Sequence, residues 1–179
     1  MIYVFLAEGF EETEATAPID ILRRAGLEVQ VVGVTGKTVT GSHGITIAAD
    51  IEIGEVTTDQ LEAVVLPGGM PGTLNLEKDP IVRVCVEYAF KNDKYVAAIC
   101  AAPSILGHMG MLKGREAICF PGFEGELDGA QISEQRVCAD GKIITAKGAG
   151  AALEFGLKLV EIFKGKAAAD KLSASMQCK

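Results

Sequence analysis

Three short, mostly apolar runs constrain this chain more than any other feature: Ile2–Ala7, Leu61–Leu66 and Tyr95–Cys100. None keeps a polar–apolar alternation, so each predicts a strand covered on both faces, as in a parallel sheet. Parallel strands need crossovers, and helical patterns duly separate the runs. One is predicted over Thr13–Ala25, with Ile19, Leu22 and Ala25 on one face, Gly26 as its C-cap, and Pro18 expected to kink or delay it. A second runs from Pro80 to about Asn92 behind the N-cap Asp79, and a third from Pro103 to about Met109. A long amphipathic helix follows Gly148-Ala149-Gly150 as far as Phe163, and a tail helix spans about Ala167–Ser175.

Further strands are expected at Glu28–Val34 and Glu116–Phe120. Gln135–Ala139 and Lys142–Ala146 read as a hairpin around Asp140-Gly141, and 38–53 as an excursion with strands Thr38–Thr40 and Ile45–Ile47. The expected fold is α/β: a three-layer sandwich, mostly parallel sheet with helices on both faces, in one domain over residues 1–179.

Charge and cysteine usage narrow the setting. A net charge of −7 and no basic cluster argue against nucleic acid or an anionic membrane as partner. The opening residues lack a basic n-region and run into Glu8, Glu11 and Glu12, so no signal peptide is predicted, and no apolar run approaches a membrane span. Five cysteines without C-x-x-C spacing suit reduced thiols in the cytoplasm, and two histidines make a His-built metal site improbable.

In parallel α/β sheets, ligands bind beyond the carboxyl ends of the strands. That rule gathers the loops 8–14, 67–72, 100–103 and 120–123 at one edge. Cys100 stands where a strand hands over to a helix through Ala101-Ala102-Pro103, the backbone logic of a nucleophile elbow with sulfur in place of oxygen. Facing free backbone N–H groups and the positive end of a helix dipole, its thiolate is expected to be favoured. An inert buried thiol fits the same stretch.

Glu11, Glu12 and Glu14 follow the first strand. Acids at a helix start offset its dipole, which accounts for two of them; a third could face Cys100 as a desolvated proton carrier near neutral pH. Spacing does not say which. Pro67-Gly68-Gly69 offers amides unobstructed by side chains, suited to an oxyanion hole shared with Ala101, and is equally a simple turn. His43 and His108 read as surface or packing histidines. Arg23 and Arg24 complement the dipole at a helix end, with contact to an anionic ligand a minority reading for Arg24. Cys85, Cys119 and Cys138 read as core thiols, and Cys178 as an exposed, unactivated one.

Taken together, the segments Ala7–Glu14, Ile21–Gly26, Leu66–Gly69, Ala97–Pro103 and Thr145–Gly150 resemble the ThiJ/DJ-one/PfpI superfamily, in the branch of the Parkinsonism-associated DJ-one protein and its bacterial relatives. The resemblance covers nearly the whole chain. It implies a flavodoxin-like sandwich, usually a homodimer, with no metal or organic cofactor. It also implies that Cys100 is the reactive cysteine, Glu14 the buried protonated glutamate bonded to it, and Gly69 and Ala101 the backbone donors. The implied activity is glyoxalase or deglycase chemistry on 2-oxoaldehydes or glycated groups; the alternative is a redox-regulated sensor or chaperone acting through oxidation of Cys100. Phe120 stands where some relatives carry histidine, and Ala101 where the protease-like branch does, which weakens a peptidase reading.

Overall fold

The structure, a computed structural model, describes residues 1–178. In chain order the elements are β1 (Ile2–Leu6), α1 (Glu12–Arg24), β2 (Val29–Gly33), β3 (Thr38–Thr40), β4 (Thr46–Ala48), β5 (Ile51–Glu52), β6 (Ala63–Leu66), α2 (Gly72–Lys78), α3 (Pro80–Lys91) and β7 (Tyr95–Ile99). Then come α4 (Pro103–His108), β8 (Glu116–Ala117), β9 (Gln131–Ile132), β10 (Val137–Asp140), β11 (Ile143–Ala146), α5 (Ala152–Lys164) and α6 (Lys166–Ser175). A seven-stranded sheet has the order β10-β11-β7-β6-β1-β2-β5. Every pairing within it is parallel except β10 with β11.

Both faces of this sheet are covered, which is why its strands show no polar alternation. On one face Phe5, Val64, Leu66, Val96 and Ala98 pack with Val82, Val86 and Ile105 from α3 and α4. On the other, Val4, Leu6, Val65, Ala97 and Ile99 pack with Leu22, Phe155 and Leu159 from α1 and α5. No helix among the described residues is long and apolar enough to cross a membrane.

Two local expectations are corrected. Helix α1 runs through Pro18 without delay, starting one residue earlier than predicted. Proline deletes one helical hydrogen bond, but packing overrides the loss. Gly156 of α5 leaves room for α1, and a Cβ there would lie 3.1 Å from Pro18 Cα and 2.8 Å from Ile21 Cδ1. The strand expected over 116–120 shrinks to β8, which pairs with β9 outside the main sheet. Beyond it, the Ile118 amide donates to Thr145 Oγ1 at 2.9 Å and the Phe120 amide to the Cys100 carbonyl at 2.8 Å. Helix α2, too short to show periodicity, was not predicted.

Helix α4 abuts the 124–126 turn at Gly107, where an added Cβ would run into the Glu126 carbonyl oxygen. Gly107→Ala is therefore expected to cost roughly 2–3 kcal/mol, as overpacking against backbone does. It should lower the urea midpoint without changing the denaturant slope.

Candidate active site

Cys100 leaves β7 with φ +65°, a left-handed conformation that is rare outside glycine. Such backbone costs roughly 1–2 kcal/mol and persists only where its surroundings hold it. Here both peptide groups are anchored: the Cys100 amide donates to the Ala146 carbonyl at 2.9 Å, and its carbonyl accepts from Phe120. Pro103 opens α4 two residues after the turn's Ala101, so the chain reverses sharply and leaves the half-buried thiol at the carboxyl edge of the sheet.

Glu14 reaches this thiol from the first turn of α1. Glu11 is the N-cap, its Oε2 accepting from the Glu14 amide at 2.7 Å. Glu14 itself is 1% exposed. Its Oε2 accepts from the Gly68 amide at 3.0 Å, the Ala149 amide also donates to the carboxyl, and the group is hydrogen-bonded to Cys100. The amides of Gly69 and Ala101 donate to the sulfur. A side chain at position 68 would prevent this convergence: its Cβ would lie 2.6 Å from Cys100 Cβ and 2.7 Å from Glu14 Oε2. Gly68→Ala is accordingly expected to slow alkylation of Cys100 by iodoacetamide more than tenfold while the chain stays folded; an unchanged rate would mean that the pair tolerates separation.

Titration of the pair departs from the expectation of a favoured thiolate. Burial raises the Glu14 carboxyl to about 7, against the opposing hydrogen bond from Cys100 and with help from the charge of Glu11. Burial and the neighbouring Glu14 charge push the Cys100 thiol up to about 12, with the Gly69 and Ala101 amides pulling it down. The helix dipole favours the thiolate, but burial and the Glu14 carboxylate that faces the sulfur outweigh it. The pair therefore loses one proton near neutrality and keeps the second. The anionic pair holds a base, Glu14, in contact with the thiol it can deprotonate.

The other acids have separate places. Glu12, 5% exposed, faces the 41–45 turn. It accepts from the His43 amide at 2.7 Å and the Ile45 amide at 3.4 Å, with His43 Nδ1 at 2.8 Å. Burial opposes its ionisation, yet the bonds from His43, Ile45 and its own helix win and lower it to about 2. A depressed carboxyl contributes stability that is complete above its unfolded pKa, about 4.5, and lost as pH falls through about 2. Glu12→Gln should loosen the 38–48 hairpin at neutral pH, seen as faster amide exchange there, and should approach wild type below pH 2.

Glu11, Glu12 and His43 place ligand-type atoms within 4.8 Å of one another, but the helix cap and the hairpin already engage both carboxylates. His108 is held between Glu77 at 2.6 Å and Glu126 at 2.8 Å, a structural clip. Arg24 lies ten residues along α1 from Glu14, about 15 Å at helical rise, and its Nε pairs with Asp20 at 2.6 Å. The anion contact considered for Arg24 is therefore not part of this site. Cys85, Cys119 and Cys138 are buried, and Cys178 is half-buried, not fully exposed as expected. Sequence reasoning missed the 147–151 loop beyond β11, which contributes the Ala149 amide; its signal was Gly148-Ala149-Gly150 at another strand's carboxyl end.

The DJ-1/PfpI family model matches residues 1–162. Protein DJ-1 homolog B of Arabidopsis thaliana is 36% identical over 178 residues, 98% of this chain and 41% of that protein. The chain thus spans under half the length of its Arabidopsis relatives. A deglycase of Pyrococcus abyssi is 30% identical over 166 residues, covering 91% of this chain and 99% of the relative. Among solved structures, oxidized DJ-1 of Toxoplasma gondii superposes with a TM-score of 0.95 at 35% identity, over 99% of this chain and 97% of that one.

Proposed function

The chain belongs to the DJ-1/PfpI family, and from that premise we propose a cysteine-dependent, cofactor-free enzyme acting on 2-oxoaldehydes such as methylglyoxal. The observation that carries this reading is the contact between Cys100, held at positive φ, and the buried Glu14 carboxyl. As Cys100 Sγ attacks the aldehyde carbon, the Glu14 carboxylate takes the thiol proton and passes it to the new alkoxide, giving a hemithioacetal. Glu14 then removes the proton from that carbon and returns it to the adjacent carbon through an enediol, which leaves a thioester. Water cleaves the thioester, releasing lactate and the free thiol. A carboxyl titrating near 7 suits both directions of transfer.

The relative named a deglycase fits the same chemistry, since early glycation adducts release these aldehydes. With Phe120 where some relatives carry histidine, the proton work rests on Glu14. The free thiols suit a reducing compartment such as the cytoplasm, and a homodimer is the proposed working form. Conversion of methylglyoxal to an equal amount of lactate by dialysed protein, without glutathione, tests the reading. Consumption without lactate, or no consumption, would refute it.

A second reading has its own support. The sulfur is half-buried and held by two amides that could equally stabilise a sulfinate, and the Toxoplasma relative is described as oxidized. Mild peroxide would then add two oxygens to Cys100 alone among the cysteines. Even oxidation of all of them would argue against a sensor.

A further inference from the structure

A groove of about 310 Å³ lies beyond β11, next to the Glu14 side of the pair, lined by Phe120, Pro121, Arg136, Lys147 and the loop from Gly148 to Ala151. Gly148 joins it to the reacting groups: a Cβ there would lie 3.1 Å from the Phe120 ring and 3.9 Å from Glu14 Oε1. Phe120 is 47% exposed, high for so large an aromatic, and walls the groove with an apolar face.

The two cations of the groove differ. Arg136 is already committed: its Nε meets both carboxylate oxygens of Glu154 at 3.0 Å, and its Nη2 donates to the Gly150 carbonyl. Lys147 is exposed, and its ammonium has no carboxylate or carbonyl partner among the described residues. Its backbone is fixed by a 2.9 Å bond from its amide to the Arg136 carbonyl. The groove thus keeps one unneutralised positive charge in a chain of net charge −7.

We propose that the groove receives the remote end of the substrate and that Lys147 determines specificity, selecting 2-oxoaldehydes that carry a carboxylate beyond an apolar or aromatic segment. This rests on the reading of Cys100 and Glu14 as the aldehyde-handling pair. The apolar segment lies along Phe120, and the carboxylate meets the Lys147 ammonium at the rim. No bond is made or broken in the groove; it orients the substrate and adds charge-dependent affinity.

The test separates binding from turnover. 4-Formylbenzoate and its neutral counterpart 4-formylbenzamide form reversible hemithioacetals but lack the 2-oxo group needed for conversion to a hydroxy acid. Each is titrated for protection of Cys100 against iodoacetamide, followed by mass spectrometry of the Cys100 peptide. In wild type the benzoate should protect at about fivefold lower concentration, the size of one partly exposed ion pair. The advantage should shrink with added salt, vanish in Lys147→Gln and return in Lys147→Arg. Equal protection by the two aldehydes in wild type, protection by neither, or a preference that survives Lys147→Gln would overturn the subsite. Failure of the lactate assay alone would not, because the protection ratio is read without turnover.

Discussion

Cys100→Ser is expected to lower kcat/KM for methylglyoxal at least about a thousandfold, as loss of a covalent nucleophile does, with the thermal midpoint nearly unchanged. A hydroxyl in place of the thiol keeps the backbone turn and accepts the same Gly69 and Ala101 amides. Glu14, titrating near 7, is too weak a base to ionise an alcohol, and serine is the poorer nucleophile. No other thiol is placed to substitute. Cys85 and Cys119 are buried, and burial pushes each thiol up to about 11. Full turnover by Cys100→Ser would remove covalent catalysis from the account altogether.

Glu14→Gln should lower kcat by a further route, about a hundredfold to a thousandfold, the usual worth of a positioned proton carrier. The limb of the wild-type pH profile near 7 should disappear with it. The same substitution has a stability signature of opposite sign. Burial raises Glu14 from 4.5 to about 7, so the folded protein binds more protons than the unfolded chain between those values. Stability therefore falls as pH rises through that window, and above 7 the ionised carboxylate carries a penalty. Gln has no charge to bury. Glu14→Gln should be the more stable protein at pH 8 by on the order of 2 kcal/mol, with the gap closing below about pH 4.5. Denaturation at both pH values reads this directly. A variant both inactive and less stable at pH 8 would indicate that Glu14 serves packing alone.

Much of the scaffold was legible because its signals are local. The apolar run from Tyr95 placed β7 within one residue of its observed end, and Asp79 marked the start of α3, whose Ile81 and Val82 amides it accepts at 2.8 and 3.0 Å. The hairpin around Asp140-Gly141 followed from its turn residues. What stayed illegible depends on three-dimensional neighbours. Glu11, Glu12 and Glu14 are alike in sequence, and successive helix positions point about 100° apart. Which one meets sulfur, caps the helix or anchors a hairpin is decided by where β7 and the 41–45 turn lie. Only family resemblance singled out Glu14. The thiol's titration escaped for the same reason: the dipole is a property of the chain, whereas the opposing carboxylate arrives from another element.

The most direct test of the shared proton is the rate of Cys100 alkylation by iodoacetamide against pH, in wild type and in Glu14→Gln. On the proposed reading, in which the Glu14 carboxylate frees the thiol, wild-type reactivity should rise with an inflection near pH 7, where that carboxyl ionises. In Glu14→Gln the inflection should move up to the ordinary thiol range, about 8.5, or beyond. Superimposable profiles for the two proteins would contradict the pair.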